Sequence, residues 1–208
     1  VRYDTSVRDL ELFDRTAKVE FSDGAVAEYD LVIGADGRRS TIRAKAGLGG
    51  PAVPTGQIVY RSVVSGGPPL SDWTAVLGRR SSFVAMPMGG RKLYCYIDET
   101  APDAENPADP RAHLREQFGS FGGPVPAILD AIEKVSVART DEVVLDTWSR
   151  GPVLLVGDAA HATAPTLAQG AAMSFEDAVV LGEELKAADG DIPAALGSYE
   201  ARRRPRCG

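Results

Sequence analysis

The sequence predicts a mixed α/β chain in which two short buried strands, far apart along the polypeptide, flank an inserted β-rich unit. Three observations predict it. Asp30-Leu31-Val32-Ile33-Gly34-Ala35-Asp36-Gly37 is a brief apolar run closed by glycine and aspartate, the pattern of a buried strand of parallel type. Pro152-Val153-Leu154-Leu155-Val156-Gly157-Asp158 repeats that pattern near the other end of the chain. Between them, segments rich in β-formers alternate with turn residues, as in an antiparallel sheet.

The elements follow in order. A β-meander is expected over Leu10 to Phe13, Ala17 to Phe21 and Val26 to Tyr29, turning at Ser22-Asp23-Gly24 and running into the first buried strand. Ser40 to Ala46 reads as a helix. After a looser stretch from Gly47 to Pro54, strands are expected at Gln57 to Val64, Thr74 to Leu77, Ser82 to Pro87 and Lys92 to Ile97, with Gly89-Gly90 as a hairpin signal. Residues 101–110 form a Pro-, Ala- and Asp-rich connection that ends in Asp109-Pro110, a helix start with proline at the first helical position. That helix runs to Phe118, and a second, Pro124 to Val135, carries Val125, Ile128, Leu129 and Ile132 on one face. A further strand is expected from Val143. Beyond the second buried strand, a long helix from Gln169 to Ala187 brings Ala172, Phe175, Val179 and Leu185 near one stripe, and a last helix starts near Pro193. The chain therefore divides into 1–50, 51–142 and 143–208, the middle segment being a structural unit of its own.

Composition excludes several classes. With 44% hydrophobic and 25% charged residues the chain can bury a core. Lys plus Arg total 23 against 29 Asp plus Glu, a net charge of -6 that lacks the basic footprint of a nucleic-acid binder and disfavours an acidic-lipid surface. Apolar runs fall short of the roughly 20 residues a membrane-spanning helix needs, and no signal-peptide pattern opens the chain, so a cytoplasmic protein is expected. Cys95 and Cys207 are too few and too scattered for a disulfide framework or a cysteine metal site. Val1 opens the sequence without a methionine, and Arg203-Arg204-Pro205-Arg206-Cys207-Gly208 closes it without a tapering tail, which reads as a piece of a longer chain.

Two segments can carry chemistry. Gly34-Ala35-Asp36-Gly37-Arg38-Arg39-Ser40-Thr41-Ile42-Arg43 lies at the carboxyl end of a strand, where open α/β sheets bind their ligands. Its glycines allow close backbone approach, Asp36 can accept hydrogen bonds from hydroxyls, and Arg38, Arg39 and Arg43 favour phosphate. The same residues also read as a plain strand-to-helix turn capped by Ser40. In the second segment, Gly157 to Ala172, Asp158 can hold a polyol, and the start of the long helix can stabilise an anion against Gln169 to Ala172. The plain alternative makes Asp158 a cap and His161 a satisfied loop histidine.

Together the two segments resemble the flavoprotein aromatic hydroxylases of the para-hydroxybenzoate hydroxylase type, in particular the salicylate hydroxylase and FAD-dependent urate hydroxylase branch. Asp30 to Arg43 looks like that family's Asp-Gly motif and Pro152 to Asp177 like its Gly-Asp motif, with Trp148-Ser149-Arg150-Gly151 similar to the usual lead-in. The resemblance implies a partial glutathione-reductase-type FAD-binding domain interrupted by a β-rich substrate domain. It implies an enzyme that uses FAD, NAD(P)H and O2 to hydroxylate a small aromatic or heteroaromatic substrate through a flavin C4a-hydroperoxide. A non-catalytic flavoprotein remnant, or an oxidase or halogenase of the same fold, is the alternative. The resemblance also assigns sites. Asp36, Gly37 and Arg43 would serve the flavin nucleotide and NAD(P)H, and Gly157 and Asp158 the ribityl chain. Pro165 would border the flavin ring, and Gln169, Gly170 and Ala171 its pyrimidine edge.

The sequence departs from the family pattern in three places. The Gly-x-Gly-x-x-Gly fingerprint is absent, the last helix breaks off early, and Ala168 stands where the family often has glycine. If that position needs positive φ, Ala168 is strained. At the substrate end, Tyr60-Arg61 matches an aromatic-arginine pair common in this branch, and Arg61 can pair with an anionic substrate. An ordinary exposed arginine is the competing reading. Phe83, Met86, Pro87, Tyr94 and Tyr96 can line an apolar pocket or belong to the sheet's core.

Overall fold

The computed structural model describes residues 1–207, with Leu167 described by its backbone only. The chain forms two compact units, one made of Val1–Val53 and the segment from Asp141 onward, the other of Pro54–Thr140.

In the first unit, β1 (Val7–Leu12), β2 (Ala17–Phe21) and β3 (Val26–Tyr29) form the expected antiparallel meander, paired in the order β1-β2-β3. β4 (Val32–Gly34) follows, then α1 (Thr41–Lys45). The other end of the chain contributes β10 (Ser149–Arg150) and β11 (Val153–Leu155), so that a small sheet is ordered β10-β11-β4. β11 runs parallel to β4, Val153 opposite Val32 and Leu155 opposite Gly34. β11 is buried throughout as expected, whereas β4 is buried only in part, with Ile33 44% exposed. Gly34 is required there, because a Cβ would stand 2.7 Å from Leu155 Cδ2 and 2.9 Å from Ile42 Cβ. Three helices complete the unit: α4 (Asp158–His161), α5 (Gly170–Ala187) and α6 (Ile192–Cys207). Its core joins Leu10, Val19 and Ile42 to Trp148, Val153, Leu154, Leu155, Leu181, Leu196 and Tyr199.

The second unit is a five-stranded sheet with two helices. Its strands are β5 (Val53–Ser65), β6 (Thr74–Leu77), β7 (Ser81–Gly89), β8 (Lys92–Thr100) and β9 (Ser136–Glu142), ordered β6-β7-β8-β5-β9. The turn between β7 and β8 places Gly89, Gly90 and Arg91 at positive φ, which explains the glycine pair. Both helices start as their sequences dictate. Asp109 accepts hydrogen bonds from the N–H groups of Arg111 and Ala112 at the start of α2 (Pro110–Phe118), with Pro110 in the first turn. α3 (Val125–Ala131) turns Val125, Ile128 and Leu129 into the core. One sheet face, with Ile58, Tyr60, Val64, Phe83, Ala85, Leu93, Cys95 and Ile97, packs on Leu114, Phe118 and the α3 residues. That alternation is the period-2 signature of a half-covered sheet.

Three local expectations are corrected. The second helix ends by Ile132, whose ψ of 118° is extended, and the chain continues as β9; the strand expected from Val143 begins at Ser136 instead. β-branched Val135 and Val137 favour that earlier extension. The expected apolar stripe of α5 splits: Phe175 is 75% and Val179 62% exposed, while Leu185 packs on the core beside Val180 and buried Leu181. Asp177, the centre of a polar network described below, is buried on the same face.

Candidate functional site

The two motif loops leave the same end of adjacent parallel strands. Beyond the ladder, the Val156 N–H donates to Gly34 O at 3.0 Å, so Asp36 and Asp158 emerge side by side at the carboxyl edge of the sheet. A buried arginine fastens one loop to the other. Arg43, on α1, donates from Nη1 to Ala159 O (2.9 Å), from Nη2 to Arg38 O (2.7 Å) and from Nε to Gly50 O (3.0 Å). Burial lowers its pKa and Asp36 opposes that shift, but a guanidinium remains charged.

Asp36 is engaged by its own chain. Its Oδ1 accepts from Ser40 Oγ at 2.5 Å, and its Oδ2 from the N–H groups of Thr41 (2.7 Å) and Ile42 (3.1 Å), so it caps α1. Ser40 caps as well, accepting from the Arg43 N–H at 2.9 Å. Gly37, with φ +79°, leaves open space where a side chain would stand. Arg38 pairs with Asp141 at 3.5 Å.

The second loop is built differently. Gly157 adopts φ 56° and ψ −142°, and a Cβ there would stand 2.8 Å from Ser174 Oγ on α5. Conformation and space both demand glycine. Asp158 then points an exposed carboxylate with no hydrogen-bond partner among the described residues. Its Oδ1 lies 4.0 Å from where a Cβ on Gly170 would be, which sets it against the first turn of α5. No side chain caps that turn; Gln169 occupies the N-cap without bonding it. The first N–H groups of a helix have no intrahelical acceptor, so Gly170 and Ala171 present donors and a positive dipole end beside a free carboxylate. Pro165 opens the single 3-10 turn ahead of them, half-buried, and the turn closes on Ala168 at φ 52°, ψ 28°. Ala168 therefore occupies the left-handed conformation that favours glycine.

Beneath this loop lies a network that pattern reading overlooked. Asp177 of α5 is fully buried. Its Oδ2 accepts the Gly157 N–H at 2.8 Å and pairs with His161 Nε2 at 2.6 Å, and its Oδ1 accepts Arg203 Nε at 2.7 Å. Burial alone pushes the Asp177 carboxyl up, but these three donors outweigh it and hold it below the usual carboxylate range. Arg203 also reaches Met173 O (3.0 Å), Glu176 (2.6 Å) and Cys207 Sγ (3.3 Å). The potential ligand atoms of His161, Asp177 and Cys207 lie within 4.8 Å of one another, but the Arg203 guanidinium already supplies the cation among them. The legible signals were an aspartate four residues from a buried leucine on α5 and an arginine deep in α6.

In the second unit, sheet register sorts the substrate candidates. Arg61 is opposite Tyr96, Val63 opposite Tyr94, and Tyr94 opposite Met86, so Arg61, Tyr94 and Met86 share one face. Arg61 is exposed and the other two are partly so. Tyr60 is turned away, a correction to the expected pair, because adjacent residues of a strand face opposite sides. It is fully buried among the helices' contacts, donates its hydroxyl to Glu99 Oε1 at 2.6 Å, and shares that carboxylate with His113 Nε2 at 2.7 Å. Burial, then Glu99, push its hydroxyl pKa up. No helix among the described residues is long and apolar enough to cross a membrane.

Known proteins are similar to this chain in sequence and in fold. The chain is 32% identical over 200 residues to the FAD-dependent urate hydroxylase of Mycolicibacterium vanbaalenii, covering 91% of this chain and 50% of that one. It is 33% identical over 195 residues to the aurachin C monooxygenase/isomerase of Stigmatella aurantiaca, covering 90% and 50%. Klebsiella pneumoniae HpxO, solved with FAD and uric acid, superposes with a TM-score of 0.82 at 30% identity, covering 98% of this chain and 54% of that one. The chain spans about half the length of the curated relatives it matches. A family described as FAD binding domain matches residues 14–207, and the chain belongs to that family, as do flavin-dependent monooxygenases of aromatic compounds.

Proposed function

We propose that this chain forms FAD- and substrate-handling parts of a monooxygenase that uses NAD(P)H and O2 to hydroxylate a small aromatic or heteroaromatic compound. The observation that carries this reading is the free Asp158 carboxylate set against the uncapped start of α5, at the carboxyl edge of two adjacent parallel strands. Such an edge suits a ligand with hydroxyls and an electron-rich rim. Asp158 would accept hydrogen bonds from the ribityl hydroxyls, and the N–H groups of Gly170 and Ala171, with Gln169, would meet the pyrimidine edge. Their preorganised dipole would offset negative charge there without a titrating side chain. Pro165 would border the ring. When bound, FAD supplies the redox chemistry that couples NAD(P)H oxidation to oxygen activation.

The remaining residues bind and orient. Gly37 leaves room for the nucleotide beside the Asp-Gly loop, while Asp36 and Arg43 hold that loop through α1 and Ala159 O. Arg61 would pair with an anionic substrate, and Met86 and Tyr94 would offer it apolar and aromatic surface. The urate hydroxylase relative and the uric acid bound in HpxO support a small ring substrate of that type.

The test is FAD retention and turnover. Asp158→Ala should lower FAD affinity at least about tenfold, the loss of charge-assisted hydrogen bonds. Wild-type protein should consume NAD(P)H and O2 faster when an aromatic acid or urate is present, with hydroxylated product in equal amount. Unchanged flavin occupancy in Asp158→Ala would remove the assigned role, and NAD(P)H consumption indifferent to every ring compound would remove the proposed reaction.

A further inference from the structure

We propose that Asp177, through His161 and Arg203, is a positioning residue that aims Asp158 at the cofactor; this rests on the FAD reading above. The geometry gives Asp177 a reach that a cap or an ordinary core contact lacks. Its carboxylate joins four segments: the end of β11 at Gly157, the end of α4 at His161, α5 itself, and α6 through Arg203. Of these, the Gly157 bond matters most for chemistry, because Asp158 is the next residue.

Gly157 sits at φ 56° and ψ −142°, a conformation that glycine tolerates but does not select. Something must choose it. The loop packs too closely on Ser174 for any side chain to do so. Two contacts choose it: the Gly157 N–H is directed at Asp177 Oδ2 at 2.8 Å, and the Gly157 carbonyl accepts the N–H groups of Ala160 and His161 at 2.9 Å. Asp177 grips both sides of that turn, directly at the Gly157 N–H and through the His161 side chain, so losing it frees the residue that carries Asp158.

Asp177 is itself held from both sides. His161 Nε2 shares Oδ2, and the His161 ring lies against Trp148 with centroids 4.9 Å apart, so the imidazole cannot swing freely. Arg203 takes Oδ1 and anchors to Met173 O, one turn earlier on α5. A carboxylate with three donors on its two oxygens is rigid, and it lends that rigidity to the loop. The same demand explains why α5 buries an aspartate beside Leu181.

Mutational coupling tests this. Asp177→Asn keeps the shape but replaces one oxygen with a donor, so either Arg203 or the Gly157–His161 side faces N–H against N–H. FAD titrated into apo-protein, followed by flavin fluorescence, should bind about tenfold more weakly to Asp177→Asn, the cost of one unmet buried donor. If Asp177 works through Asp158, the two losses must not multiply: adding Asp177→Asn to Asp158→Ala should cost less than about a further threefold. His161→Gln, which retains an N–H toward Asp177, should stay within about threefold of wild type, while His161→Leu should lose about tenfold. Should Asp177→Asn fail to fold, the His161 pair crossed with Asp158→Ala reads the same coupling. Multiplying losses, or wild-type affinity in Asp177→Asn while Asp158→Ala binds poorly, overturns the positioning role alone. Wild-type affinity in Asp158→Ala overturns the cofactor reading and the inference with it.

Discussion

Each unit of this protein buries one aspartate that matters, and the two are held in opposite ways. Asp177, in the first unit, is surrounded by a backbone N–H, an imidazole and a guanidinium, and its carboxyl is held below the usual range. Asp98, in the second, is 6% exposed; burial pushes it up, and the hydrogen bond from Ser82 offsets only part of that. The first unit has several loops whose geometry must be fixed, and an interior charge with three donors fixes them. The second is a sheet under two helices, closed by Tyr60, Phe83, Phe118 and aliphatic neighbours, where apolar packing suffices. An interior ion is useful where backbone must be aimed, and a cost where it need only be packed.

The largest break in this comparison should come from Asp177→Ala. It strands Arg203, His161 and the Gly157 N–H, and should cost about 3–5 kcal/mol in denaturant unfolding. A loss below 1 kcal/mol would show that the relay is dispensable. Arg43→Lys comes next. One ammonium cannot reach the carbonyls of Arg38, Gly50 and Ala159 together, and the loss should be about 2 kcal/mol by the same measurement.

Asp98→Asn should behave in the opposite sense, leaving stability unchanged or raising it by about 1 kcal/mol or less at pH 7. The pH dependences differ in sign. Because the folded pKa of Asp177 is depressed, its stabilisation is complete above the ordinary carboxylate range, near about pH 4, and is lost only as pH falls below it. Because that of Asp98 is raised, its ionised form weighs against folding at neutral pH, and the penalty lifts as pH falls through the raised value. The advantage of Asp98→Asn should therefore shrink on acidification; an advantage that grows would contradict the assignment. The smallest effect is expected from Ala168→Gly, which removes left-handed strain but loosens the unfolded chain, for a net gain of about 0.5 kcal/mol in thermal unfolding.

Much of the architecture was legible because it is written in local patterns. The meander, the Asp109-Pro110 helix start, the Gly89-Gly90 hairpin and the two short strands before the motif loops each depend on residues within a few positions of one another. That β4 and β11 pair with each other in parallel came from the structure, since each run by itself names no partner. The strain at Ala168 was predicted conditionally and is present. The apolar stripe on α5 misled in part: hydrophobic periodicity assumes that apolar side chains alone take the buried face, and here Asp177 shares that face with Leu181 while Phe175 and Val179 lie outside it.

By itself, then, the sequence determined most of the strands and helices and marked two loops as candidates for polar chemistry, because short-range sterics and alternation govern those choices. Only the tertiary structure decided that Asp36 is consumed in capping α1 while Asp158 stays free, that Tyr60 and Arg61 part company across a sheet, and that Arg43 and Asp177 brace the loops from below. Those outcomes depend on hydrogen bonds between residues as far apart as Arg43 and Ala159, and a donor's partner is fixed only when the chain has folded around it.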